Sequence, residues 1–315
     1  MEHLYVLHRR RDLSSMTMRR TLAIVVAAVL VSACGHSTPQ PTGSPTTQSQ
    51  GRQFANWPAT LDGFSFHWTA EPGIDLLAGP GVLLRAYLES YQVAEYTFDI
   101  KDVYPGFLRA TPPNADRNVA GTLIQHIGVR PLGYYNTKTP QDARPHYGFL
   151  ALHVLEVNPL DGGYDALVCT AEYASFIESA VRPGKYISLG TDDKTGQPLN
   201  PGPTSGVFVY RIQFTQHDPR VGLTPPQPPT APQEGPAPAP SDDVFGDWFV
   251  TAESTGSWGP IGQPEKPLFP TPELQQRCAN AMPQNEAERT AMMTGYKDAP
   301  PAPGNPEPGW PQPSK

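Results

Sequence analysis

The chain has 315 residues, a formal charge of −7 and 39 prolines, more than twice the usual share of about 5%. An acidic chain with few basic clusters argues against a nucleic-acid partner and against electrostatic docking on anionic lipid. Length alone allows two domains, but the prolines are clustered, which reads better as one ordered core with proline-rich segments.

Residues 1–33 read as a secretory signal. Arg19 and Arg20 precede ten uninterrupted apolar residues, Leu22 to Val31, and small residues follow. That is a positive n-region, a short h-region and a small-residue cleavage site. The run is too short for a bilayer span, which takes about 20 residues. Met16 or Met18 followed by Arg19-Arg20 would make a compact signal alone, so residues 1–15 read either as a long n-region or as an over-extended start. The Val31-Ser32-Ala33-Cys34 ending resembles a bacterial lipobox. By that resemblance Cys34 becomes the first mature residue and carries diacylglycerol and a palmitate-type chain. Two or three such chains suffice for stable anchoring on the outer face of the cell membrane, where one would not. Loss of residues 1–33 removes five arginines and two acids, taking the charge from −7 to −10.

Residues 34–56 are polar, rich in Pro, Ser and Thr, and aperiodic, as expected of a flexible tether. A single ordered body is expected over 57–299. It starts near Trp57, and Phe64, Phe66 and Trp68 fall at the spacing of one strand face. Pro80 suits the first turn of a helix from Val82 to Tyr96, where Leu84, Tyr87, Leu88, Tyr91 and Ala94 mark one buried stripe. Arg85, Glu89, Ser90 and Gln92 are expected on its solvent side. Tyr104 to Leu108 reads as a turn into a second short helix or an irregular segment.

Tyr147–Val157 and Tyr164–Phe176 read as the arms of a long antiparallel hairpin around Asp161-Gly162, a pair suited to positive φ. In Val207–Gln216, Phe208, Tyr210, Ile212 and Phe214 alternate with Arg211, Gln213 and Thr215, which predicts one packed and one wetted face. Residues 219–241 hold nine prolines and read as an external loop. A further strand is expected over Val244–Ala252 and a polar helix over Glu273–Ala281, before a proline-rich tail at 300–315.

This order predicts an α+β fold with helices packed on one face of a curved antiparallel sheet. A β-sandwich with an added helix competes, against the helical spacing of residues 80–96. The element order and the Gly246-Asp247-Trp248 entry into the last strand look like the NTF2-like cone and its cystatin-like relatives, over about residues 80–252. The whole chain also resembles uncharacterised exported lipoproteins of mycobacteria and related actinobacteria. The matching residues are Gly81-Val82-Leu83-Leu84-Arg85-Ala86-Tyr87-Leu88-Glu89-Ser90, Tyr104-Pro105-Gly106-Phe107 and Pro308-Gly309-Trp310-Pro311. That resemblance implies a cell-envelope address and brings no established activity.

With Cys34 lipidated, Cys169 and Cys278 remain, and an even pair in an oxidising compartment is expected to bridge rather than stay as two buried thiols. Catalytic and metal motifs are missing. Gly202-Pro203-Thr204-Ser205-Gly206 and Gly256-Ser257-Trp258-Gly259 do not match a nucleophile elbow, and there is no metalloprotease helix, Cys-x-x-Cys pair or phosphate loop. His126, His146, His153 and His217 lack ligand spacing, so no metal or cofactor is expected.

One arrangement carries chemistry. If the face of Tyr147, Phe149, Ala151, His153 and Leu155 coincides with that of Tyr164, Ala166, Val168, Thr170 and Glu172, then His153 has Thr170 or Glu172 within reach. That would make His153 the weak catalytic candidate, as a general base; the alternative is a solvent-facing or core histidine. Tyr87, Tyr91 and Tyr96 are either pocket wall or core. The loop at 219–241 is either a spacer or a polyproline II ligand. The expected function is therefore a lipid-anchored, non-catalytic envelope module binding a partner protein or an apolar molecule. Alternatives are an NTF2-like enzyme acting on a small hydrophobic substrate through His153, or a structural envelope component.

Overall fold

The computed structural model describes residues 54, 56–131, 138–219 and 229–312. The signal, Cys34, nearly all of the tether and part of the proline-rich loop lie outside the described residues. In chain order the elements are β1 (Gly63–Ala70), α1 (Gly79–Thr97), α2 (Phe107–Ala110), β2 (His146–Leu160), β3 (Gly163–Ala171), β4 (Ser175–Glu178), β5 (Tyr186–Ser188), β6 (Val207–Thr215), β7 (Phe249–Ser254), α3 (Pro272–Ala281) and α4 (Glu286–Met293). The protein is α+β, its sheet curled into a half-barrel.

Long β2 is the spine. On one side it pairs with β1, on the other with β3 and β4, which follow one another through a single turn at Glu172–Ala174. β6 and then β7 continue the sheet beyond β3, and β5 flanks β4. These pairings are antiparallel, as expected, with one exception: β1 runs parallel to β2. A parallel neighbour needs a long crossover, and α1 lies within that connection. The hairpin turns at Asp161-Gly162, with Gly162 at φ +71°, where glycine bears no steric cost. The second arm does not run unbroken to Phe176, because the Glu172–Ala174 turn interrupts it. Gly148 of β2 receives that turn: its φ is +78°, and a Cβ there would stand 2.2 Å from the Ala174 carbonyl oxygen.

Both faces of the sheet are covered, which corrects the expectation of helices on one side. Phe64, Phe66 and Trp68 share a face, as their spacing predicts, and with Leu150, Leu152, Val154, Val168 and Ile212 they pack against α1. The opposite face is a smaller cluster, where Ala151, Leu155, Val207 and Val209 meet Cys278, Ala279 and Met282 of α3 and Met293 of α4. So the outer face of β6 is wetted only from Arg211 onward; at Val207 and Val209 it is buried. The Cys169–Cys278 disulfide crosses this second cluster, with Cα atoms 5.3 Å apart, and ties α3 to β3. The last strand starts later than expected, at Phe249, after Val244 and Phe245 have entered the core as irregular chain.

The supposed solvent side of α1 is buried too. Arg85, Glu89, Ser90 and Gln92 are all at least nine-tenths covered. Over Arg85 and Glu89 the covering comes from the two proline-rich segments expected outside. Glu307 N–H donates to the Phe66 carbonyl (3.0 Å), and Trp310 exchanges backbone hydrogen bonds with Ala237. Trp310, Ala237 and Ala239 are core residues. Proline-rich backbone has few N–H groups but a full set of carbonyls, and these acceptors meet buried donors. The Arg85 guanidinium donates to the carbonyls of Leu76, Gln233, Pro308 and Gly309 at 2.8–3.1 Å and stacks 4.1 Å over the Trp310 ring. Beside it, Glu89 accepts from Trp68 Nε1 (2.8 Å), Tyr104 Oη (3.0 Å) and Trp310 Nε1 (2.6 Å). Ser90 Oγ accepts from the Tyr104 N–H. Charged side chains sit one helical turn inside the protein because nearly every one of their polar atoms finds a partner.

Candidate functional site

The C-terminal half of α1 places Tyr87, Tyr91 and Glu95 one turn apart on one stripe, with Gln92 and Tyr96 beside them. Facing them from the sheet are Glu172, Tyr210 and Glu253. Tyr210 pairs with Val168 of β3, and so shares the α1 face. Glu172 opens the turn that ends β3, its N–H donating to the Gly206 carbonyl at 2.9 Å.

Glu253 owes its position to a bulge. Phe214 pairs with Val250 and Gln213 with Ala252, so Thr251 is an extra residue in β7. In an unbroken strand Val250 and Ala252 would share the α1 face and Glu253 would point outward. The extra residue shifts the parity, Glu253 pairs with Ile212, and its carboxyl turns inward to lie near Gly128.

The surroundings are acidic and phenolic. Glu172 and Glu253 are raised to about 7 and about 8, first by burial and then by the charge of Glu95. Tyr87, Tyr91, Tyr96 and Tyr210 are all raised well above the usual phenol range, again by burial first and then by the neighbouring glutamates. Gln92 Nε2 donates to Tyr210 Oη at 3.2 Å, and Tyr87 Oη donates to the Val129 carbonyl. His146 stacks on Tyr96 with ring centres 4.1 Å apart; burial lowers it to about 4, so it is neutral at pH 7.

Two observations separate this cluster from ordinary core. Tyr91, Glu95, Glu172 and Tyr210 keep partial solvent exposure, yet desolvation dominates the shifts of Tyr91, Glu172 and Tyr210. Groups that protein surrounds and solvent still touches line a recess. And Glu253, only 6% exposed, stands among the tyrosines of α1, close enough to raise Tyr87 and Tyr91. Chemically, the recess offers protonated acids and neutral phenols near pH 7, with two carboxyls in the range that suits proton transfer.

His153 is not part of it. The register pairs His153 with Cys169 and Leu152 with Thr170, so the two hairpin faces expected to coincide lie on opposite sides of the sheet. Directly paired residues share a face, and the offset that would bring His153 to Thr170 is one residue away. His153 instead has Thr69 Oγ1 at 2.8 Å from Nδ1, and Glu71 Oε1 at 3.6 Å from Nε2, beyond hydrogen-bond distance. Of the sequence candidates, the structure brings together Tyr87, Tyr91, Tyr96 and Glu172. Glu95 and Glu253 were missed: a lone glutamate on a helix or at a strand end has no signature, and only the bulge turns Glu253 inward.

Two concavities lie elsewhere on the body. A groove of about 390 Å³ between α3, α4 and Pro203 contains Arg289, whose guanidinium is held by the carbonyls of Ala279, Gln284 and Pro203. A void of about 30 Å³ under Leu77, Val82 and Trp248 has room for a water or two. Among the described residues no group of three His, Cys, Asp or Glu side chains is placed to hold a metal ion, and no helix is long and apolar enough to cross a membrane. No family model matches the sequence, and the comparisons with curated proteins and with solved structures return no match.

Proposed function

We propose that the chain is an exported lipoprotein, held at the outer face of the cell membrane through Cys34, whose body is a non-catalytic binding module taking its ligand in the recess between α1 and the sheet. The body is read as a variant of the NTF2-like or cystatin-like cone, with the helix across the curled sheet. The lipobox and tether support the address, and the Cys169–Cys278 bridge fits an oxidising compartment. The observation that carries the binding role is Glu253: a bulge turns this buried acid inward, toward the phenols of Tyr87 and Tyr91.

Native mass spectrometry of the full chain, extracted from its own envelope in mild detergent, tests both parts. A mature mass starting at acylated Cys34 and a retained small molecule are the expected results. Cys34 still joined to Ala33 overturns the anchoring, and a bare protein at native abundance overturns the binding role.

A second reading has an observation in its favour. Glu172 near 7 and Glu253 near 8 are poised for general acid–base work, so an enzyme of the cone type would act through this pair and not through His153.

A further inference from the structure

We propose that the groove between α3, α4 and Pro203 binds an organic carboxylate, with the Arg289 guanidinium as its counter-charge and the side-chain amides of Asn280, Gln284 and Asn285 as further donors. α3 and α4 cover the sheet face opposite α1, so this site is separate from the recess and does not depend on it.

Arg289 is only 3% exposed and takes part in no ion pair among the described residues. A guanidinium keeps its charge at any physiological pH, so this buried charge stands without a counter-ion. Nor are its donors used up. Of the five N–H groups on a guanidinium, Nη1 gives two, to the carbonyls of Ala279 and Gln284, and Nη2 gives one, to that of Pro203. Nε is buried and has no partner. The N–H groups left over are on Nε and Nη2, the pair of nitrogens that meets both oxygens of a carboxylate side-on.

The rest of the lining is biased the same way. Asn280 Oδ1 accepts from Gln276 Nε2 (2.8 Å), Gln284 Oε1 from Tyr173 Oη (2.6 Å), and Asn285 Oδ1 from the Glu288 N–H (3.1 Å). With those oxygens engaged, the three amide NH2 groups have no acceptor among the described residues. α4 also starts here, after Asn285, and brings the partial positive charge of a helix N-terminus. Ala279, Met282 and Pro203 supply an apolar wall, and the volume of about 390 Å³ falls in the range of about 300–1,000 Å³ usual for ligand pockets. Glu286, the one acid of the lining, is exposed and screened by solvent. Its charge weighs against a dianion such as a phosphate monoester and in favour of a single carboxylate. A cation would face Arg289 and a row of donors, and a wholly apolar molecule would leave those donors dry.

Calorimetry on the full chain in detergent tests the proposal with two matched pairs: hexanoate against hexanamide, and acetylated trialanine with a free C-terminus against its C-terminal amide. At least one carboxylate is expected to bind about tenfold or more tightly than its amide, a gap of about 1.4 kcal/mol or more, and added salt should narrow that gap. Preference shown by the peptide alone names a polypeptide C-terminus as the source, and by hexanoate alone a free organic acid. Arg289→Gln should erase the preference. Because Arg289 also holds the α3–α4 connection, two variants at exposed positions stand beside it. Asn280→Asp should weaken the carboxylate about threefold and Glu286→Gln should strengthen it about threefold, each leaving the amide unchanged. Amides binding as tightly as carboxylates, or no binding by any of the four, would overturn the proposal and leave the recess untouched. Carboxylate affinity unaltered in both folded variants, Asn280→Asp and Glu286→Gln, would place the binding outside this groove and overturn it as well.

Discussion

Trp310 Nε1 donates a 2.6 Å hydrogen bond to Glu89 across 221 residues of sequence, and the Arg85 guanidinium lies 4.1 Å from the centre of the same indole. One turn of α1 thus grips the proline-rich tail by charge and by ring. The tail completes the core over a helix face that would otherwise expose an ion pair.

The first prediction concerns that grip. Trp310→Ala removes a fully buried indole and leaves Glu89 short of a donor and Arg85 short of its stacking partner. A loss of about 3–5 kcal/mol is expected from the cavity alone. Urea unfolding should show a midpoint well below that of the parent, and so should truncation before Glu307. A midpoint unmoved by either change would mean the tail is only laid on the surface.

The disulfide makes the second. The bridge closes 109 residues of sequence separation, which in the chain-entropy model stabilises by about 4–5 kcal/mol. Cys278→Ser should unfold at correspondingly lower urea. In unreduced, denatured protein a thiol reagent should find neither Cys169 nor Cys278 reactive, and two reactive thiols would sink the bridge.

Stability against pH is the third, and its sign follows from direction. Burial raises Glu89 and Glu172 to about 7 and Glu253 to about 8, against about 4.5 for the free side chain. Between those limits the native state holds protons that the unfolded chain has released, so stability falls as pH rises. Burial lowers His67, His146 and His153, which act in the opposite sense but only below about 6.5. The urea midpoint should therefore drop from pH 6.5 to 8.5. Glu253→Gln should flatten the part of that slope nearest pH 8, and an identical slope in the variant would show that Glu253 holds no proton.

The fourth tests the turn that carries Glu172. Gly148→Ala combines a φ of +78° with a Cβ 2.2 Å from the Ala174 oxygen. The turn must move, at a cost of about 2 kcal/mol or more. Hydrogen exchange should rise first around residues 172–175. His153→Ala, on the other face, should leave ligand binding in the recess as it was.

Much of the framework was legible in local pattern. Phe64, Phe66 and Trp68 do share a face, α1 does begin near Pro80, the hairpin does turn at Asp161-Gly162, and Cys169 does bridge to Cys278. Each of these depends on spacing, on a turn residue, or on the parity of a cysteine count, all of which act within a short stretch of chain or in the composition.

What sequence pattern could not supply was the pairing between distant stretches. Arg85 and Glu89 look like a solvent-side pair until Pro308, Gly309 and Trp310 arrive to satisfy them. His153 and Glu172 look like neighbours until a register one residue away puts them on opposite faces. Glu253 carries no sequence signature until one extra residue, Thr251, reverses the parity of β7. The physical reason is common to all three. Hydrophobic periodicity says which residues of a segment share a side, while register, bulges and the docking of proline-rich chain decide what stands opposite that side. Those choices are settled by the packing of the whole core.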